Sequence, residues 1–305
     1  MKKSHISKLF NHEGLILKNN NSLKTGEINI EEIKSSFKKY GIIVFKGFEF
    51  EPEKLTSFTD IFTEIYAADA RRRAKRFGEK NITNVDYGYD QIDLHSEASF
   101  APAWPEIIWL YCIIPTAGKG GSTTLCDGIV LWQKLSPEAK TFFLTNPIIY
   151  KLKIPVVDKI PGKGKKPWSL NNSDVSDCFL DYDTGLLNLV LSRHAVHEDK
   201  FSNQLCFSNH LLINLSSENQ ITSRTLLDNK KIPDKIVNEI KIKSDNFTYE
   251  HNWKKNDLIM INNKRFMHGR RGYDKKDPRD VINIQTGKAS FGNGFAIKIA
   301  KDSKI

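Results

Sequence analysis

A chain of 305 residues with a formal net charge of +10 carries 39% hydrophobic and 27% charged residues, a balance that fits a folded globular protein and excludes pervasive disorder. No run approaches the roughly 18 consecutive apolar residues that a bilayer-spanning helix needs. The opening Met1-Lys2-Lys3-Ser4-His5-Ile6 is interrupted by Asn11, His12 and Glu13, so no secretory signal is expected either. Cys112, Cys126, Cys178 and Cys206 are widely spread with no CxxC pair and read as reduced thiols of a cytoplasmic protein. The positive charge favours anionic partners, whether nucleic acid, acidic protein surfaces, or carboxylate and phosphate substrates. Lysines are scattered over most of the chain, however, so charge alone marks no nucleic-acid face.

Residues 1 to about 27 are polar and poorly periodic. Ile30, Ile33 and Phe37 predict a helix over 29–40, and the β-branched run Gly41-Ile42-Ile43-Val44-Phe45-Lys46-Gly47-Phe48 predicts a buried strand. Pro52 opens a second expected helix, with Leu55, Phe58, Ile61, Phe62 and Ile65 on its apolar side. Residues 69–93 hold the basic run Arg71-Arg72-Arg73-Ala74-Lys75-Arg76 followed by polar residues, Tyr87 and Tyr89; so long a weakly apolar stretch reads as a lid. Strands are expected at 107–114, 148–157, 187–192, 204–208, 247–251, 257–261 and 280–285, and helices near 129, 136–144 and 233–242. Residues 158–185, rich in Gly, Pro, Lys, Asn and Asp, read as an insertion of loops. With no internal repeat and no clean linker, the pattern predicts one β-rich α+β domain with flanking helices.

His95 and Glu97 lie two apart just after an apolar residue, and on an extended segment they would project together. Such a pair offers two positions of one metal ion. A second histidine from elsewhere would complete a 2-His-1-carboxylate face with open positions, as used for non-haem iron and O₂. Of the eight histidines, His268 follows the apolar run at 257–261 beside a Gly-rich turn. Each piece alone has a bland reading: a chance dipeptide spacing, a core or capping histidine. Arg279, eleven residues beyond His268, adds a guanidinium suited to gripping a carboxylate bidentately. Thr123, beside Gly120-Gly121, could donate a hydroxyl to the same carboxylate.

At this point the chain resembles the TauD/TfdA (taurine dioxygenase) family of Fe(II)- and 2-oxoglutarate-dependent oxygenases. The resemblance rests on the strand at 41–48, on His95-Ser96-Glu97 with Trp104-Pro105, on Gly120-Gly121-Ser122-Thr123-Thr124-Leu125-Cys126-Asp127-Gly128, and on Asp257 through Arg279 with His268-Gly269-Arg270. It spans roughly 28–290 and is closer to the clavaminate synthase, amino-acid hydroxylase and syringomycin-type branches. The resemblance implies a double-stranded β-helix, or jelly roll, and His95, Glu97 and His268 as iron ligands. It further implies Arg279 and Thr123 at the 2-oxoglutarate carboxylate, Fe(II), 2-oxoglutarate and O₂ as reactants, and a lid over 69–93. Three positions depart from the family pattern: Asn283 where many members carry a second arginine, Asn262-Asn263 where Asp-Asn is common, and Lys46 where Arg is frequent.

The expected activity is hydroxylation of a small amino-acid-derived substrate, anionic or tethered to an acidic carrier protein, with desaturation or cyclisation as other outcomes of the same chemistry. Arg270, Arg271, Tyr87 and Tyr89 are the candidate substrate contacts, each with a surface or packing role as its plain alternative. A homo-oligomer is left open. Two further readings stand beside the enzyme: a catalytically inactive relative, and a nucleic-acid-binding protein using Arg71 to Arg76. No recognition motif accompanies that basic run.

Overall fold

The computed structural model describes residues 8–9, 12–13, 15–19, 28–67, 73–85, 88–155, 164–167, 173–215 and 220–292. A small hairpin, β1 (Lys8–Leu9) and β2 (His12–Glu13), precedes β3 (Leu15–Lys18). Next comes α1 (Ile30–Tyr40), capped by the Asn29 side chain at its start and ended by Gly41 at φ +71°, a left-handed turn that glycine adopts without strain. The chain continues through β4 (Ile42–Lys46), α2 (Leu55–Thr59), β5 (Thr63–Tyr66), β6 (Thr83–Asn84), β7 (Ile92–His95), β8 (Ile107–Ile114) and β9 (Thr123–Asp127). Two helices follow, α3 (Gly128–Lys134) and α4 (Pro137–Thr145). A run of strands comes next: β10 (Ile148–Pro155), β11 (Lys165–Pro167), β12 (Val175–Asp181), β13 (Leu186–Arg193), β14 (Val196–Glu198), β15 (Leu205–Phe207) and β16 (Ile221–Thr225). The last elements are α5 (Asp234–Asn246), β17 (Thr248–His251), β18 (Leu258–Asn262), β19 (Phe266–Arg270) and β20 (Asp280–Ala289).

Strand alternation explains how the layers stack. The main sheet runs β3-β4-β18-β8-β20-β5, with β6 also on β20, and a second sheet runs β17-β9-β19-β7. Ile42, Val44, Ile108, Leu110, Cys112, Ile259, Ile261 and Val281 of the main sheet meet Leu125 and Phe266 of the second, with Trp253 just beyond β17, in one buried cluster. Their neighbours one residue along, Ile43, Phe45, Trp109, Tyr111, Met260, Ile282 and Ile284, pack on the opposite face with Ile33 and Phe37 of α1. On the far side of the second sheet, Leu94, Cys126 and Met267 join residues of α3, α4, α5 and the five-stranded sheet β11-β12-β13-β10-β16. Central strands covered on both faces read as unbroken apolar runs, which is why they were recognisable.

Two expectations change. The second helix stops at Thr59, and residues 63–66 form β5 on the edge of the main sheet. Leu55, Phe58 and Phe62 are buried, while Ile61 and Ile65 are 43% and 56% exposed. The helical spacing therefore mixed core and surface residues, and β-branched Thr63 and Ile65 suit the strand better. Residues 158–185, expected to be loops, contain β11 and β12, which pair with each other. The basic run is also not a free face: Arg76 makes two bonds to the Asp280 carboxylate and one to Asn84, and Arg73 turns inward. Arg71 and Arg72 lie outside the described residues. Among the described residues no helix is long and apolar enough to cross a membrane.

Candidate active site

His95 ends β7 and His268 sits mid-strand in β19, directly opposite it in antiparallel register. The two rings are 4.6 Å apart between centroids. His95 Nδ1 lies 2.9 Å from the Asp93 carbonyl oxygen. A carbonyl only accepts, so Nδ1 carries the proton and Nε2 presents its lone pair. That Nε2 is 3.6 Å from Glu97 Oε2. One ligand atom each from His95, Glu97 and His268 all fall within 4.8 Å of one another, and all three residues are buried. One ion with bonds of roughly 2.1 Å could gather them after small side-chain shifts.

Glu97 does not reach this position along an extended strand, as its spacing predicts. The strand ends at His95, and Glu97 stands in the following turn. Asn263, fully buried, fixes the turn: its Oδ1 accepts from the Glu97 N–H at 2.8 Å, and its Nδ2 donates to the carbonyls of Glu97 and Pro105. The Ser96 hydroxyl donates to the Asn263 carbonyl at 2.6 Å and accepts from the Trp104 indole. Ala98 has φ +51°, a left-handed conformation costing a non-glycine residue about 1–2 kcal/mol. The local strain sits one residue from the carboxylate that must face the histidines.

Thr123 begins β9 opposite Arg270 of β19, and both line a narrow cleft with His95, Glu97 and His268. The Trp253 indole donates to the Thr123 hydroxyl oxygen at 3.0 Å, which leaves the hydroxyl proton to point elsewhere. Arg279, also in the cleft, donates from Nε to the Gly121 carbonyl at 3.0 Å. The adjoining turn requires glycine: at Gly120, φ is +93° and a Cβ would come 2.1 Å from the Gly272 carbonyl. Arg270 and Arg279 flank the Tyr273 ring at 5.3 and 5.7 Å. Burial, and then the nearby Arg270 charge, bring the Arg279 pKa down to about 10, so the arginine is cationic at neutral pH but short of counter-charge.

Of the candidate substrate contacts, Arg270 lines the cleft and is buried. Arg271 does not: it pairs with Glu250 at the surface, 2.7 Å away with both side chains about 40% exposed. Tyr89 is 40% exposed and packs edge-on to Tyr273 outside the cleft. Tyr87 lies outside the described residues. Sequence reasoning missed Arg73, whose Nη2 is 2.9 Å from Glu97 Oε1 with both side chains 6% exposed. It also missed Trp253 and His210, the latter packed edge-on to His95. Asn283 lines the cleft where the resemblance anticipated a second arginine.

A family model described as taurine catabolism dioxygenase TauD, TfdA family, matches residues 4–285. The chain belongs to the TauD/TfdA dioxygenase family. It is therefore an oxygenase, and its β-rich fold agrees with the solved structures of that family. A taurine dioxygenase from Burkholderia xenovorans superposes with a TM-score of 0.60 at 12% identity, covering 97% of each chain. PvcB from Pseudomonas aeruginosa gives 0.63 at 13% identity, covering 93% of this chain and 90% of its own. By sequence, 3-((Z)-2-isocyanoethenyl)-1H-indole synthase of Fischerella ambigua (strain UTEX 1903) is 22% identical over 265 residues, 85% of this chain and 86% of the relative.

Proposed function

We propose that the chain is an Fe(II)- and 2-oxoglutarate-dependent oxygenase of a small amino-acid-derived molecule, with His95, Glu97 and His268 as the metal ligands. The convergence of those three buried donors, one of them with its tautomer set by a carbonyl, carries this reading. Two imidazoles and a carboxylate suit Fe(II) and leave positions for a chelating cosubstrate. The metal and 2-oxoglutarate, when bound, supply O₂ activation. The chain's own part is to bind, orient and exclude water. Arg279 and the Thr123 hydroxyl would hold the distal carboxylate of 2-oxoglutarate, with Gly120-Gly121 giving the close turn. The described parts of 69–93, residues 73–85 and 88–93, the first of them tied by Arg76 to Asp280, would serve as cover over the substrate.

A second outcome of the same chemistry, desaturation, draws support from the relatives. The name of the Fischerella protein describes an ethenyl group bearing an isocyano group, and PvcB is described as an Fe, alpha-ketoglutarate dependent oxygenase from an isonitrile synthetic pathway. The ethenyl group in the first name supports carbon–carbon double-bond formation on an isonitrile, rather than simple hydroxylation, as the outcome here. Anaerobic addition of Fe(II) and 2-oxoglutarate should produce a weak visible charge-transfer band, and air should then yield succinate. His268→Ala should remove both signals. If the wild-type protein gives neither band nor succinate, the oxygenase assignment to this site fails.

A further inference from the structure

Two side-chain amides on one strand stand without the hydrogen bonds that burial demands. Asn283 and Gln285 belong to β20 and are only 4% and 5% exposed. Asn283 Oδ1 and both polar atoms of the Gln285 amide have no hydrogen-bond partner among the described residues. An unpaired buried polar group costs free energy, so a fold keeps one where something else supplies the bond.

Strand alternation aims both amides into the space between the two sheets. Ile282 and Ile284 pack on the face that carries α1, so Val281, Asn283 and Gln285 share the other face. Across the ladder Asn283 lies opposite Leu110 and Gln285 opposite Ile108 of β8. Val281, Asn283, Leu110 and Ile108 line the cleft together with His95, Glu97 and His268. Gln285 therefore stands one pleat further along the wall that Asn283 belongs to. Val85 and Ile92 continue the apolar lining. Against it the two amides offer donors and acceptors with no net charge. Asn283 also occupies the place where the resemblance anticipated an arginine, so an amide replaces a cation at this point of the wall.

We propose that Asn283 and Gln285 form a specificity subsite for an uncharged hydroxyl or carboxamide on the substrate, a group that both donates and accepts. The inference rests on the oxygenase reading and adds the polar group by which the substrate is chosen. The apolar wall takes the body of the molecule, while the amides fix one end of it and so set which carbon meets the metal ligands. An analogue without that group leaves the amides unpaired and is rejected for that reason. Both residues act by binding alone.

The test uses the full chain loaded anaerobically with Fe(II) and 2-oxoglutarate. Calorimetry reads its binding of matched probes: L-tyrosine with L-phenylalanine, N-formyl-L-tyrosine with N-formyl-L-phenylalanine, and L-glutamine with L-methionine. In at least one pair the hydroxyl- or amide-bearing member should bind about tenfold or more tightly, as expected when buried amides gain their partner. Gln285→Met keeps the side-chain length and removes both polar atoms, and Asn283→Leu keeps the branching. Each should cut the preference by at least about threefold, and the double variant should abolish it. Gln285→Met should also raise the urea midpoint, because an apolar group ends the unpaired burial. The proposal is overturned if no polar probe outbinds its partner, or if the preference survives in the variants. A lowered midpoint in Gln285→Met, or its failure to fold, would give the amide to the fold and overturn the proposal equally. Absence of the charge-transfer band in the wild-type protein would instead overturn the oxygenase reading, since the calorimetric preference reports the subsite alone.

Discussion

Asn263 sets the proposed ligand geometry directly, because it ties both the N–H and the C=O of Glu97. Replacing it by alanine leaves one N–H and two carbonyls buried without these bonds, at a cost of about 2–4 kcal/mol. Urea unfolding of Asn263→Ala should show that loss, and Fe(II) titration should show weaker binding. Retained metal affinity would mean the turn holds itself. Arg279 makes the opposite case, a residue whose removal should spare the fold and change one ligand. Arg279→Ala should raise the 2-oxoglutarate concentration for half-maximal succinate formation by about tenfold to a hundredfold, the range of one charge-assisted contact. An unchanged requirement would pass the clamp to Arg270, its neighbour on the Tyr273 ring.

Segment 73–85 folds on itself through the Lys75–Thr83 bridge and joins the main sheet where β6 lies on β20, with the Arg76–Asp280 pair beside it. That pair is about a quarter exposed on each side, so it contributes about 1 kcal/mol after solvent screening. Arg76→Gln should speed amide exchange across 73–85 and leave protection in β8 and β18 unchanged, as expected of a unit that opens locally at the sheet edge. Equal loosening of β8 would show the segment to be part of the central core. The same segment marks the limit of what the sequence disclosed. Strands β4, β8, β18 and β20 were legible because both faces are buried, and the three residues that converge in the site were legible from the order of their motifs. Arg73 was not, because a dense local run of cations reads as a solvated face, while its partner Glu97 is 24 residues away and the Asp280 that holds Arg76 is 204 away. Asn263 was visible only as a departure from a pattern, since the bonds that give it purpose cross 166 residues. At β5, Ile61 and Ile65 counterfeited a helical stripe that burial does not support.

Across the whole molecule the net charge of +10 sets a penalty that grows as pH falls, since each protonation adds to self-repulsion. Buried histidines add a second, separable acid sensitivity. His197 keeps some exposed surface, but its Nδ1 is buried with no partner, and its Nε2 donates to the Lys264 carbonyl at 2.6 Å. Burial above all, then the Lys264 and Arg193 charges against the help of that carbonyl, hold its pKa near 3. His251 is likewise lowered by burial, partly offset by Asp257. A histidine with a depressed folded pKa stays neutral in the folded chain while the unfolded chain takes up a proton below about pH 6.5. For His197, stability therefore falls as pH drops from about 6.5 towards 3, by about 1.4 kcal/mol per pH unit, and His251 adds to the fall in the same direction. High salt screens surface repulsion and leaves a buried group largely unaffected. Urea midpoints between pH 7 and 4.5 at high salt should thus retain a slope in the wild-type protein and lose about one histidine's worth of it in His197→Gln. If His197→Gln follows the wild-type slope in high salt, His197 carries no part of the acid sensitivity.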